Sequence, residues 1–175
     1  MFFKYTMQRL SLLRSIIGIL FFFSMLGVIV GLPLILIVLI FPTKVPFNFN
    51  GYLLNADKME IVFLSAVIYA AHCAFTYGLY LLKKTLALFS KRIFFDQKVI
   101  FYLGRTGKSF LISGLLWIVP LFFCYLPADN RVKTNTDADG FAIPIFHLAI
   151  GLFFTVLSEV FLMAKKMKEE NELTI

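Results

Sequence analysis

Residues 15–43 read SIIGILFFFSMLGVIVGLPLILIVLIFPT, 29 consecutive positions between Arg14 and Lys44 without a charge. About 18 apolar residues already mark a transmembrane helix. This run is too long for one straight crossing at about 1.5 Å per residue. Tilt, or a kink at Pro33, is expected to absorb the excess, with Phe41–Pro42–Thr43 outside. The stretch resembles a secretory leader in having basic residues before it, but a leader's apolar region spans about 7–15 residues and ends at a small-residue site. Ile35–Phe41 holds no such site, so a retained first helix is expected.

The pattern recurs three times downstream. The charge-free stretches are 22 residues between Glu60 and Lys83, 20 between Lys108 and Asp129, and 19 between Asp139 and Glu159. The expectation is an all-α polytopic membrane protein, a single domain with a bundle of four spans near 15–40, 61–82, 109–127 and 141–164. Composition agrees: 60% of the 175 residues are hydrophobic and 15% charged, against roughly 45–50% and about 25% in soluble domains. One small water-soluble core could not hide so much apolar surface.

The basic residues orient the spans. With both termini cytoplasmic, 13 of the 17 Lys and Arg fall inside, and Lys44, Lys58, Arg131 and Lys133 remain outside. That bias predicts an N-in/C-in topology. It also accounts for the net charge of +7 without direct nucleic-acid binding, and points instead to the lipid bilayer and its anionic inner leaflet.

Small residues mark where helices approach closely in lipid. Ala66, Ala70, Ala74 and Gly78 form a four-residue repeat on the second span, and Gly27 and Gly31 a G-x-x-x-G pair on the first. Both read as packing surfaces, against each other or within a homo-oligomer; Ser113, Gly114, Ala149 and Gly151 are a weaker version.

Intramembrane polar residues are functional candidates by default, and here they are His72, His147 and Glu159. Haem ligation by the two histidines is disfavoured. His72 lies about 12 residues down its expected helix and His147 about 6, a mismatch of roughly 9 Å. Glu159 could serve an oligomeric proton-coupled exporter together with His72. Its place near the cytoplasmic edge instead suggests an interfacial carboxylate paired with Lys83, Lys84 or Lys108. Cys73 and Cys124 read as buried thiols. No catalytic constellation, cofactor motif or metal-ligand cluster is present, so no enzymatic activity is expected. Gly104-Arg-Thr-Gly107-Lys-Ser lacks the spacer and preceding strand of a phosphate loop.

Between the second and third spans, residues 83–108 form an expected cytoplasmic elbow. Leu82, Leu86, Phe89 and Ile93 recur at helical spacing among Lys83, Lys84, Lys91 and Arg92. They predict an amphipathic helix that lies in the interface or extends the second span. Asp96 is placed to cap a new helix from Gln97. The tail, residues 165–175, switches from basic to acidic within a turn and ends Leu173-Thr-Ile175, which suits docking. The candidate partner surface is therefore Lys91, Arg92 and Asp96 with Glu169, Glu170, Glu172, Leu173 and Ile175.

The ending Leu157-Ser-Glu-Val-Phe-Leu-Met-Ala-Lys-Lys-Met-Lys-Glu-Glu-Asn-Glu-Leu-Thr-Ile175 resembles the C-terminal signature of the bacterial family known as domain of unknown function 2975. The turn Ile93-Phe-Phe-Asp-Gln-Lys, followed by Leu103-Gly104, is similar to the family's Phe-containing turn before its third span. Ala164 stands where Gly is common, and the turn lacks the usual Pro or Ser around its Phe. The resemblance implies a small protein of the bacterial inner membrane without an established activity. It also implies, as partner, a small helix-turn-helix transcription regulator, the kind of protein often encoded beside family members. The alternatives, a small transporter using Glu159 and His72 or a haem or quinone redox protein, stay open at this level.

Overall fold

Four helices carry the chain in the computed structural model, which describes residues 2–40, 47–49, 52–54, 58–125, 131–133 and 141–173. They are α1 (Phe2–Ile40), α2 (Lys58–Ser90), α3 (Gln97–Tyr125) and α4 (Ala142–Leu173). Each outruns its expected span at one end or both. A charge-free stretch measures the apolar layer, whereas Lys, Leu, Ala and Glu beyond it remain good helix formers and continue the backbone. α1 continues through Pro33 as one helix of 39 residues, about 58 Å long.

The fold is all-α as expected, with one small addition in the linkers. Three short strands, β1 (Phe47–Phe49), β2 (Tyr52–Leu54) and β3 (Arg131–Lys133), form an antiparallel sheet in the order β1-β2-β3. Leu53 pairs with Asn48 on one side and Val132 on the other. The second pairing ties the α1–α2 linker to the α3–α4 linker, so both linkers occupy one end of the molecule. The α2–α3 turn, the start of α1 and the end of α4 occupy the other. Phe41–Pro42–Thr43 lies outside the described residues.

Among the described residues, three stretches are long and apolar enough to cross a membrane: Gln8–Ile37, Met59–Ser90 and Ala142–Glu172. α3 is not one of them. Lys98, Arg105 and Lys108 occupy its first half, and the apolar run that begins at Phe110 continues past the described side chains.

A closed four-helix bundle does not form. Extended packing runs α1 to α2, α2 to α3 and α3 to α4, and ring contacts Phe75–His147 and Phe89–Phe161 join α2 to α4. So α2, α3 and α4 make a three-helix core, and α1 leans along α2. Leu64, Leu103, Leu121, Val99 and Pro120 are fully buried in that core. α1 instead exposes large apolar side chains everywhere except along the face that meets α2, including Leu12, Phe23, Ile29 and Ile40. In water such a helix would be an aggregation hazard; in lipid it is at home.

Polar groups inside the core are satisfied locally or across helices, and every buried side-chain nitrogen or oxygen among the described residues has a partner. Thr85 and Thr106 donate to carbonyls four residues back. Ser109 donates to Ala74 O and Ser113 to Ala71 O, tying α3 to α2. Ser158 donates to Ile100 O, tying α4 to α3. Without water to compete, these bonds set helix register.

Candidate functional site

The α2–α3 turn is built from capping chemistry. Ile93 N–H donates to Leu88 O at 3.1 Å and Arg92 N–H to Phe89 O at 2.9 Å. This is the paired-bond ending of a helix whose C′ residue is left-handed. That residue is Arg92, at φ 61°, where glycine is usual. Asp96 Oδ1 accepts from Lys98 N–H at 2.7 Å and so caps α3 as its sequence position suggested. The helical region of the elbow therefore extends α2 to Ser90, and α3 passes unbroken through Gly104 and Gly107. Only residues 91–96 form the turn itself.

Aromatic rings hold this turn against α4. Phe89 and Phe95 both meet Phe161, at ring centroids of 5.8 and 6.1 Å, and Phe94 meets Phe89 at 5.4 Å. One turn beyond Phe161, Lys165 Nζ donates to Gln97 Oε1 at 3.1 Å. The α4 helix then continues to Leu173, projecting about 12 Å past that contact. The elbow residues Lys91, Arg92 and Asp96 and the tail residues Glu169, Glu170 and Glu172 are exposed and lie at this one end. Lys165–Glu169 and Lys168–Glu172 are i,i+4 ion pairs at 3.6 Å that line the projecting helix. The side chains of Leu173 and Ile175 lie outside the described residues.

A second polar cluster lies on the α1–α2 seam. His72 Nε2 donates to Ser24 O at 3.0 Å, which requires a proton on that nitrogen. Thr76 gives its hydroxyl proton to His72 O at 2.8 Å, so Ser24 Oγ donates to Thr76 Oγ1 at 2.5 Å. Tyr69 donates to Val28 O at 3.1 Å. Gly27 and Gly31 are the positions that admit these side chains: an added Cβ would come 2.6 Å from His72 Nε2 and 2.9 Å from the Tyr69 ring.

The glycine pair and the alanine stripe therefore do not pack on each other. Gly27 and Gly31 receive His72 and Tyr69. Ala66 and Ala70 are exposed, and Ala74 and Gly78 turn toward α3, where Phe110 covers Gly78. The stripe drifts around the helix because a four-residue step overshoots the 3.6-residue turn. The tightest glycine contact joins α3 to α4, where the sequence marked Gly114 and Gly151 as a weaker packing signal and gave no such role to Gly107. A Cβ on Gly107 would meet Thr155 Oγ1 and stand 2.7 Å from Gly151 O, and one on Gly151 would stand 3.0 Å from Gly107 O. The fragment that resembled a phosphate loop is a backbone crossing of α3 and α4. Gly104, Gly107 and Gly114 at helical spacing were the signal.

His147 Nδ1 donates to Ile143 O at 2.7 Å, with its ring edge-on to Phe75 at 4.8 Å. The Phe75–His147 and Phe89–Phe161 contacts share one offset along parallel helices. His147 is thus level with Phe75, about 4–5 Å from the level of His72. The larger mismatch inferred from sequence arose because α2 begins well before the level at which α4 begins. What separates the two histidines is direction: His72 faces α1, and His147 lies against Phe75. Glu159 is exposed on α4 and, among the described residues, pairs with none of Lys83, Lys84 or Lys108. Its level is that of Ala87, roughly 22 Å from His72, so these two residues do not share a site. Cys73 is a free, half-buried thiol; the Cys124 side chain lies outside the described residues. No group of three or more metal-ligating side chains occurs among the described residues.

The long apolar helices with lipid-suited exposed faces place the chain among helical membrane proteins. Comparison with protein families then identifies it: residues 15–175 match the family described as "Protein of unknown function (DUF2975)", and the chain belongs to that family. No curated protein matches the chain, and no solved structure does.

Proposed function

We propose that this protein is a four-span protein of the bacterial inner membrane that docks a cytoplasmic regulatory protein at the end carrying its elbow and tail. The observation that supports this reading most is the join between them. Phe89, Phe95 and Phe161 pack together, and Lys165 reaches Gln97. Two segments 68 residues apart thereby become one surface, basic at Lys91 and Arg92 and mixed along Lys165–Glu172. Thirteen basic residues at this end favour the cytoplasmic side. The partner suggested by the family resemblance is a helix-turn-helix transcription regulator.

The reading predicts that such a regulator co-purifies with the full chain in mild detergent. Deleting Lys168–Ile175, or reversing charge with Lys91→Glu and Arg92→Glu, releases it without changing the thermal unfolding of the helices. Undiminished capture after both changes contradicts the proposal. The transporter alternative has no supporting geometry at its named residues, because Glu159 and His72 stand apart.

A further inference from the structure

An apolar groove of about 330 Å³ runs along the α1–α2 seam, lined by Phe21, Met25 and Val28 from α1 and by Cys73, Thr76, Tyr77 and Tyr80 from α2. These are i, i+4, i+7 and i, i+3, i+4, i+7 positions, so the groove follows the helix axes for about 10 Å. Thr76 exposes little polarity to it, since its hydroxyl is taken up by His72 O and Ser24.

The end of the groove nearest the α2–α3 turn is different in kind. Lys83 Nζ stands 5.1 Å from the Phe21 ring, and Lys84 Nζ stands 4.5 Å from Tyr80 and 5.6 Å from Tyr102. Arg105 Nη1 donates to Tyr77 Oη at 3.3 Å, with its guanidinium 5.0 Å from the Phe101 ring. Tyr80 connects the two regions, since its ring meets Phe21 at 6.0 Å and Tyr77 at 6.4 Å. All three cations are exposed. Among the described residues their partners are aromatic rings and a phenol oxygen, with no carboxylate. Three positive charges from two helices thus ring the mouth of an apolar slot, and no acid among the described residues neutralises them.

We infer that this is a binding site for one anionic glycerophospholipid, with an acyl chain in the groove and the headgroup phosphate among Lys83, Lys84 and Arg105. The match is one of polarity along an axis. Lys and Arg stems lie over rings while their charged heads reach the interface, and tyrosines sit at the headgroup level where they are enriched in membrane proteins. The guanidinium fork is the preferred donor to phosphate oxygens. A free phosphate would use the cations and leave the slot empty; a zwitterionic lipid would fill the slot with its phosphate charge offset. The site requires only that the chain sits in a bilayer, and it is independent of the docking role proposed above.

The test is native mass spectrometry of the full chain in mild detergent, titrated separately with phosphatidylglycerol, phosphatidylcholine and inorganic phosphate. One phosphatidylglycerol is expected to bind at least tenfold more tightly than phosphatidylcholine, and inorganic phosphate is expected neither to bind nor to displace it. Lys84→Ala and Arg105→Ala are each expected to weaken binding about fivefold. Met25→Trp fills the slot and is expected to lower binding similarly with every charge retained. A control variant, Lys166→Ala with Lys168→Ala, removes two charges from α4 and should leave binding unchanged. Equal affinity for the two lipids overturns the inference. So does an equal loss in the control pair, or binding that survives both Lys84→Ala with Arg105→Ala and Met25→Trp.

Discussion

At the scale of single residues, local chemistry was legible where it acts over a few positions. Asp96 was readable as a cap because its acceptor needs only the N–H two residues on. The left-handed position at the other side of the turn was hidden, because arginine stands where glycine would have announced it. Holding a side chain there costs about 1 kcal/mol, so Arg92→Gly is expected to stabilise the purified protein by about that amount. Unfolding in a denaturing detergent titration checks this, and a loss of stability would contradict it. The Ser24–Thr76 hydroxyl pair permits a second check. A double-mutant cycle with Ser24→Ala and Thr76→Val should give a coupling of about 0.6 kcal/mol, the ordinary worth of an interhelical bond in a membrane. Glu159 shows where residue reading fails. On a helix apolar nearly all round, sequence cannot say which face meets a neighbour, and the expected lysine partners lie elsewhere.

At the scale of elements, the apolar runs predicted helix existence and their centres, but not their lengths. Charged residues end a hydrophobic stretch without ending a helix, which is why α2 runs on to Ser90 and α4 to Leu173. Packing was half legible. Gly27 and Gly31 were recognised as a contact surface, yet their partners proved to be the imidazole of His72 and the ring of Tyr69. Gly107 and Gly151 carry the tightest approach, and there the obstacle is backbone, which cannot rotate away. Gly107→Val or Gly151→Val should therefore destabilise the α3–α4 pair by about 1–3 kcal/mol. Ala70→Val, on an exposed face of α2, should change stability little. Comparable effects at all three positions would show that the crossing is not the close contact described.

At the scale of the whole molecule, the distribution of charge and the pairing of β2 with β3 lead independently to one arrangement. The short sheet gathers both long linkers at one end, and 13 of the 17 basic residues gather at the other with the elbow, the start of α1 and the end of α4. The sheet could not be read beforehand, because three-residue strands in linkers give no periodic signal. The incomplete enclosure of α1 was equally hidden, since lipid and protein demand the same apolar surface. The topology proposed above has four helices crossing the membrane, with elbow and tail on the cytoplasmic side. Single cysteines at Lys91, Glu169 and Lys133, each introduced into a chain with Cys73→Ala and Cys124→Ser, test it most directly. A membrane-impermeant maleimide applied to intact spheroplasts should label Lys133→Cys, and should label Lys91→Cys and Glu169→Cys only after permeabilisation. Labelling of Lys91→Cys or Glu169→Cys from outside, or protection of Lys133→Cys, would contradict it.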